Sequence, residues 1–360
     1  MRFLTVGLVI IAATLLNGIN FSLKHELILW GTGFLDDSSQ DYHLISNFKP
    51  DLQVNISNFD TKITLFLAKQ IIRNDSGFFH KNDARLYRSW IRYSTNQLEV
   101  RAGLQKINFG PAYLLRALQW FDQLDPRDIS NETKAVEAIL ARYYFLNNSN
   151  IWFWVVRGKE YPKGIEFYPG IRDEPEIGGR IQYPFEYCET ALSYHQRKVS
   201  QSGIESMERR IGFDSRWDIE IGFWIEAMLS YFENTNLDAK WIKFITVGAD
   251  YTIPLGNGIY VLSEHSLYEV SKTDFYYSDQ ENTTSSLVIR YPIDLFNQLQ
   301  FICSYDWSSG KTINFLSYQL GFDYLDLFIN VYSYPEQKLM SAHDIHTDGK
   351  SVQILFKLNF

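Results

Sequence analysis

The chain ends in SVQILFKLNF, residues 351–360, and this stretch decides the class of fold. Apolar side chains occupy every second position: Val352, Ile354, Phe356, Leu358 and Phe360. The positions between them are mostly polar: Gln353, Leu355, Lys357 and Asn359. Because the side chains of a β-strand point alternately to its two faces, this period of two predicts a strand with one apolar face and one mostly polar face.

The same period of two recurs through the chain and predicts an all-β fold. Clear examples lie at 98–105, 219–226, 299–306 and 325–331. Strand candidates fall at 25–35, 42–56, 60–73, 84–94, 97–108, 134–146, 151–158, 176–184, 187–198, 206–215, 217–231, 239–253, 257–270, 284–292, 297–308, 312–321, 324–333 and 351–360. These are 18 strands. Because strand boundaries taken from a single sequence vary by a few residues, about 16 is the alternative count.

The connections between the candidates alternate between short and long. The short ones are 58–59, 95–96, 147–150, 185–186, 216, 254–257 and 322–323. The longer ones are 74–83, 109–133, 159–175, 199–205, 232–238, 271–283 and 334–350. Short periplasmic turns, long outer loops and an even number of strands are typical of a transmembrane antiparallel β-barrel. The sequence therefore predicts such a barrel in a bacterial outer membrane, with both termini on the periplasmic side.

The first 22 residues predict a secretory signal peptide. Arg2 is followed by an apolar run from Phe3 to Leu16 and then by small or polar residues. We expect cleavage between Gly18 and Ser22, which leaves residues 23–360 as one barrel domain. The alternative is an N-terminal anchor helix, for which the apolar run is short.

Composition narrows the class of partner. The chain carries 23 Tyr, 26 Phe and 9 Trp, and Tyr and Trp collect where a protein meets a membrane interface. Its formal net charge of −8 argues against nucleic acid as a partner, because phosphates demand a basic surface. Cys188 and Cys303 are far apart in sequence and predict two isolated thiols on apolar faces.

Two stretches resemble known outer-membrane proteins. The terminal Phe360, with Phe356 and Leu358 before it, resembles the C-terminal signal that such proteins present to the barrel assembly machinery, which is therefore an expected partner. The stretch 97–145 contains LEVRAGLQKINFG, LQWFDQLDPRDI and ILARYYF and resembles porin-like families, the alginate-export-type barrels among them. The matching residues are Arg101, Gly103, Gln105, Ile107, Phe109, Gly110, Asp125, Pro126, Arg127 and Asp128. The resemblance implies a barrel architecture and leaves the solute open.

Residues 109–133 are the best functional candidate, because long connections in compact structures are usually functional. Pro111 suits a helix start, so 111–121 could form a short amphipathic helix after strand five. We expect the segment to fold inward and form a charged pore constriction with Arg116, Asp122, Asp125, Arg127 and Asp128. The alternative is a helix at the rim that packs on the outer loops.

Polar residues in phase with one another predict the lumen wall. They are Glu99, Arg101, Gln105, Glu189, Arg197 and Glu220, with His195 and Glu226 on the same faces. Mixed signs on the wall of a pore favour transverse charge separation over strong ion selectivity. The alternative is that these charges only pair with one another.

Three functions follow from these patterns. The first is a porin-like channel for small polar or saccharide-like solutes. The second is a barrel without a channel that binds surface polysaccharide or lipopolysaccharide, with outer-membrane lipids as partners in either case. The third is an outer-membrane hydrolase, and the catalytic signals for it are weak. The motif HDIHTD at 343–348 could bind a metal, although a polar outer loop explains it better, and we predict no metal site, no cofactor and no enzymatic activity.

Overall fold

The computed structural model describes residues 19–35, 42–74, 77–234, 236–335 and 349–360. These residues form 18 β-strands, as predicted. In chain order they are β1 (Ile19–Phe34), β2 (Tyr42–Ile56), β3 (Phe59–Asn74), β4 (Gly77–Ser94), β5 (Leu98–Gln105), β6 (Val136–Tyr144), β7 (Asn150–Arg157), β8 (Pro175–Pro184), β9 (Cys188–Gln201), β10 (Ile204–Asp218), β11 (Gly222–Phe232), β12 (Trp241–Ile253), β13 (Ile259–Ser271), β14 (Gln280–Pro292), β15 (Asn297–Asp306), β16 (Lys311–Gly321), β17 (Leu325–Tyr334) and β18 (Gly349–Asn359).

The sheet closes on itself. Every strand pairs antiparallel with its neighbours in sequence, and β1 pairs with both β2 and β18. In the closing register Leu29 lies opposite Phe356. Beyond β18, Phe360 still exchanges two backbone hydrogen bonds with His25, with N–O distances of 2.7 and 3.0 Å. A closed sheet has no unpaired edge, which is the condition for strands to span a lipid bilayer.

The terminal strand shows which face of the barrel is apolar. In β18 the side chains of Ile354 and Phe356 are 46% and 40% exposed, whereas Ser351, Gln353 and Leu355 are at most 5% exposed. The apolar face therefore points outward and the mostly polar face points into the barrel. In a soluble sandwich the apolar face would be the buried one. An outward apolar band is the arrangement of a barrel surrounded by lipid.

The turns at one end are short and link each even-numbered strand to the next. They span 57–58, 95–97, 145–149, 185–187, 219–221, 254–258, 293–296 and 322–324. The described termini lie at this same end, which is the predicted periplasmic end. Among the residues that the structure describes, no helix is long and apolar enough to cross a membrane.

Several predicted boundaries are wrong. The expected long connection 74–83 is only 75–76, because β3 and β4 continue to Asn74 and Gly77. The connection 199–205 is the two-residue turn Ser202-Gly203, whose φ angles of 52° and 83° suit a tight hairpin. The short turn expected at 216 lies at 219–221. Strand β1 begins at Ile19, earlier than the expected start at residue 25; residues 1–18 lie outside the described part, and the signal peptide stays a prediction.

Candidate functional site

The connection between β5 and β6, residues 106–135, is the longest described one and is largely buried; we call it the β5–β6 segment. The short helix expected at 111–121 is wrong, since these residues form bends and turns without a helix. Five of their backbone N–H groups donate to carboxylates of the barrel wall, while those of Gln119 and Trp120 donate to carbonyls within the segment. Pro111, which lacks an N–H group, stands just before this run.

Glu226 of β11 holds the first part of the segment. One carboxylate oxygen, Oε1, accepts from the N–H of Ala112 at 2.8 Å, and Oε2 accepts from the N–H of Leu118 at 3.0 Å. Gly110 is required beside this carboxylate, because a Cβ atom there would lie 2.2 Å from Oε1 and its φ is +91°. The Glu226 side chain is fully buried, so the contact joins the wall directly to the segment.

Glu264 of β13 accepts even more donors from the segment. The N–H of Tyr113 donates to its Oε1 at 2.6 Å, and the N–H groups of Leu114 and Leu115 donate to its Oε2 at 2.8 Å each. The indole Nε1 of Trp224 adds a fourth donor at 3.2 Å. Two wall carboxylates thus take the place of the carbonyls that a helix would use. Sequence reasoning placed Glu226 on the inner face and missed Glu264, which stands in a strand of weak alternation.

Aromatic packing fills the barrel interior beside these contacts. Ile107, Phe109, Leu118, Trp120 and Phe121 of the segment are all at most 6% exposed. They belong to one apolar cluster with inward-facing side chains of the wall, which include Leu140, Trp154, Val199, Met228, Phe232, Ile242 and Phe244. This cluster covers the inner side of β6 to β13, which we call the packed side.

The connection 158–174 between β7 and β8 adds a buried ionic network to the packed side. Lys163 lies 2.8 Å from Glu176 and 3.1 Å from Glu166. Arg197, a predicted wall residue, contacts Glu166 at 3.1 Å and Glu208 at 2.5 Å. Arg210 also contacts Glu208, at 2.6 Å, so three cations face three carboxylates, and each of these side chains is at most 2% exposed. His195 is also buried, with Glu176 3.3 Å from its Nε2.

The predicted constriction residues all lie on the β5–β6 segment, where four of them form two ion pairs. Arg116 contacts Asp122 at 3.0 Å, and both side chains are buried. Arg127 contacts Asp125 at 2.7 Å. Although burial opposes its charge, the neighbouring carboxylate raises the pKa of Arg127. Asp128 accepts hydrogen bonds from the backbone and the hydroxyl of Ser130. These pairings brace the segment internally.

Lys106 stands at the start of the segment, 4.0 Å from Asp122. Burial lowers the pKa of its ammonium group, against the opposing influence of that carboxylate. Sequence reasoning had not selected this lysine.

The predicted wall residues fall into three groups. Arg101 contacts Glu99 at 2.9 Å, and Gln105 is buried and donates to the carbonyl of Ala138 at 2.8 Å. Glu189 lies near the periplasmic end of β9, where it accepts from Gln182. Glu220 is a correction, because it lies in the exposed turn 219–221 and belongs to no strand. The predicted strand 217–231 ran through this turn and therefore assigned Glu220 to the lumen wall, although the strand begins only at Gly222.

The far end of the segment is fastened to the opposite side of the ring. The pairing of β3 with β4 shifts register at Thr64 and Leu65, and this bulge directs two successive side chains of β4 inward. Tyr87 accepts the N–H of Thr133 on its hydroxyl at 3.0 Å, and Arg88 donates to the carbonyl of Thr133 at 3.2 Å. From β2, Asn47 donates to Glu132 at 2.5 Å.

A cavity of about 530 Å³, lined mostly by charged and polar residues, adjoins this second anchor. Its walls come from β1 to β4, the end of β18 and residues 130–131 of the segment. The charged lining residues are Lys24, Glu26, Lys49, Asp51, Lys62 and Arg88. Lys49 pairs with Glu26 at 2.9 Å and Lys62 pairs with Asp51 at 2.5 Å, which leaves two cations in excess. We call this region the cavity side.

Other expectations have mixed outcomes. Cys188 and Cys303 form no disulfide. Phe356 and Leu358 belong to β18 and stand in phase on its outward face, while the assembly role of these residues and Phe360 stays a prediction. The HDIHTD motif lies outside the described residues, and the described residues contain no cluster of His, Cys, Asp and Glu that could hold a metal ion.

The closed ring, the outward apolar band and the even strand count define the porin-like class of outer-membrane β-barrel fold. No family model and no curated protein sequence matches the chain. Solved structures do. OccAB1 of Acinetobacter baumannii is 8% identical, with 96% of this chain and 98% of that chain covered and a TM-score of 0.60. OccAB4 of the same organism is 8% identical at the same coverages, with a TM-score of 0.56. OmpT, an outer membrane protein of Vibrio cholerae, is 11% identical, covers 96% and 100%, and has a TM-score of 0.51. At these identities the likeness concerns the fold.

Proposed function

We propose that the chain is an outer-membrane channel for small polar solutes, with its aqueous route along the cavity side. The observation that carries this proposal is the cavity of about 530 Å³ inside a closed ring of 18 strands. A barrel of this strand number leaves an aqueous channel unless something fills it. The β5–β6 segment and the connection 158–174 fill the packed side and leave an open volume on the cavity side.

The anchors of the β5–β6 segment support its role as the element that narrows the lumen. Its start bonds to the inner faces of β11 and β13, and its end bonds to those of β2 and β4. These strands stand on opposite sides of the ring. A segment fastened to inward-facing side chains on both sides crosses the interior. The predicted constriction residues then act mainly as braces, and the cavity residues border the route.

The charges of the cavity favour a modest preference for anionic solutes. After the two ion pairs are formed, Lys24 and Arg88 remain as excess cations. Positive side chains along a pore raise the local concentration of anions and lower their barrier to entry. Neutral saccharide-like solutes remain within this proposal, and the alginate-export-type resemblance is a finer hypothesis about the same channel.

Conductance tests the channel directly. We expect purified protein in a planar bilayer to give discrete current steps. Under a KCl gradient, we expect the reversal potential to shift toward the equilibrium potential of chloride. The rate of liposome swelling in small carboxylates and in neutral sugars of matched size would compare the permeation of the two solute classes. A correctly folded protein without current steps would contradict the proposal.

The packed side favours one alternative, a barrel that binds a surface glycan without conducting. Trp120, Trp154 and Trp224 are at most 1% exposed, which shows how completely this part of the interior is filled. If the cavity does not continue to the outer end, the barrel is plugged. Absence of current together with binding of purified lipopolysaccharide or capsule polysaccharide would establish this second function.

A further inference from the structure

An apolar groove of about 410 Å³ lies on the outward face of the barrel where β1, β2, β3 and β18 meet. Gly31 and Ser46 form its floor, and Leu29, Leu44 and Phe356 stand around it. Gly31 gives the groove its depth, because a Cβ atom there would lie 3.1 Å from the side chain of Leu44. The groove therefore has the shape and polarity to take a hydrocarbon chain.

The single charged residue that lines this groove is Lys69 of β3. Among the residues that the structure describes, no carboxylate lies within ion-pair distance of it. Lys69 stands ten residues after Phe59, where β3 leaves a periplasmic turn. At roughly 3.3 Å per residue and a tilt near 40°, this places Lys69 about 25 Å above the periplasmic boundary. That height matches the thickness of the apolar band, so the ammonium group reaches the outer headgroup level.

Arg73 lies on the same outward face of β3, four residues further along the strand and so roughly 10 Å higher. Its guanidinium lies 5.8 Å from the ring centre of Tyr42 and 5.7 Å from that of Phe78. Aromatic rings and long cationic side chains collect at the interface between lipid and water. Lys69 therefore places one positive charge in the lining of the groove, and Arg73 places a second one above it on the same strand.

We propose that this groove binds an acyl chain of the phosphorylated glycolipid of the outer leaflet, lipopolysaccharide, with Lys69 and Arg73 on its phosphates. The height of Lys69 selects the outer leaflet over the periplasmic one. The charge selects an anionic lipid over a zwitterionic one. The inference rests on the proposed outer-membrane location and is independent of conduction.

Native mass spectrometry of the full chain in detergent, titrated with purified lipid A, tests the site. Lys69→Gln should weaken binding roughly fivefold, which is the effect expected of one cation near an anionic lipid surface. Gly31→Ile should weaken it at least as much, because the new side chain occupies the groove and leaves both charges in place.

Two control variants should leave lipid A binding unchanged. Lys198→Gln removes an outward lysine near the outer end of β9 that pairs with Glu174 at 3.2 Å. Gly33→Ile adds the same side chain on the same face of β1 at a position with nothing within 4 Å. Heat-modifiable migration would confirm that every variant is folded.

Equal binding by Lys69→Gln and the intact chain would overturn the proposal, as would equal loss in the control variants. Equal competition by phosphatidylglycerol would overturn the assignment to lipid A. A protein that binds lipid A in this way but carries no current would refute the channel and leave the lipid site standing.

Discussion

The two sides of the barrel interior use the same residue types in opposite ways. On the packed side, Lys163 and Arg197 face carboxylates at 2.8 and 2.5 Å and are at most 2% exposed. On the cavity side, four cations line an open volume and outnumber its two carboxylates, Glu26 and Asp51; the cations are Lys24, Lys49, Lys62 and Arg88. The number of inward-facing charges therefore does not indicate whether that part of the lumen is open to water. What matters is whether each charge finds a partner within the protein or meets water.

The difference follows from the connections more than from the strands. Both sides alternate inward and outward residues in the same way, but the start of the β5–β6 segment and the connection 158–174 pack away from the cavity side, on the packed side and, for the start of the segment, also on β14 to β17. Buried ion pairs are costly to desolvate and contribute little net stability, while breaking one is strongly destabilising. The packed side is therefore expected to tolerate substitution poorly and the cavity side to tolerate it well.

Removing the part of the β5–β6 segment that fills the packed side should have the largest effect, because it should abolish the difference between the two sides of the interior. Replacement of 112–124 by a short Gly/Ser turn takes away the rings of Trp120 and Phe121 and the donors to Glu226 and Glu264. We expect a severalfold rise in single-channel conductance and faster uptake of large sugars, because a bare barrel of this size is wide. Unchanged conductance in a folded variant would place the segment outside the route.

Glu264→Gln should weaken the attachment of the segment. The amide keeps one acceptor oxygen and places an NH₂ group near donors, so at least one backbone N–H loses its partner. We expect a loss of about 2–3 kcal/mol in the free energy of unfolding in urea, measured by tryptophan fluorescence. Glu281→Gln, an exposed control on β14, should change stability by less than about 0.5 kcal/mol. Equal effects of the two changes would contradict the anchoring role.

Gly110→Ala tests the same attachment from the other side. Its Cβ atom would meet Glu226 at 2.2 Å, and a φ of +91° strains any residue with a side chain. We expect a loss of about 1–3 kcal/mol in the free energy of unfolding, together with larger fluctuations of the open-channel current. Gly33→Ala, with nothing within 4 Å, is the control and should be neutral. Full stability of Gly110→Ala would show that the segment can lie elsewhere.

The smallest expected effect lies on the cavity side. Lys24→Glu reverses an exposed charge that lines the cavity and should leave stability unchanged. Since screening by salt weakens exposed charges, we expect roughly a twofold shift of the anion-to-cation permeability ratio at low ionic strength. Lys272→Glu, on an exposed connection at the other end, should shift the ratio less. An equal shift in both variants would show that the cavity is not the route.

The barrel could be predicted from the sequence because alternation is a local signal. The pattern at Val352, Ile354 and Phe356 reports directly which side chains share a face. The predicted strand boundaries were wrong where the alternation of polar and apolar residues continued through a turn, as at Glu220. They were also wrong where strands extended beyond the alternating stretch, as at β3 and β4. A two-residue turn such as Ser202-Gly203 interrupts alternation too little to be located from one sequence.

The interior could be predicted only in part, since its contacts join residues far apart in the chain. The segment was found because it is long and apolar. Its conformation was missed because the acceptors of its N–H groups, Glu226 and Glu264, lie more than 100 residues away. The anchor at Tyr87 and Arg88 depends on a bulge in the β3–β4 pairing, which no periodicity reveals.

The central claim is that solute passes along the cavity side, and site-directed thiol modification tests it most directly. In a background with Cys188 and Cys303 changed to Ser, Asn131→Cys places a thiol on the cavity wall and Ser193→Cys places one in the buried packed side. We predict that a charged methanethiosulfonate reagent added during recording reduces the current of Asn131→Cys and leaves that of Ser193→Cys unchanged. No reduction for Asn131→Cys in a conducting, demonstrably modified protein would contradict the proposed route.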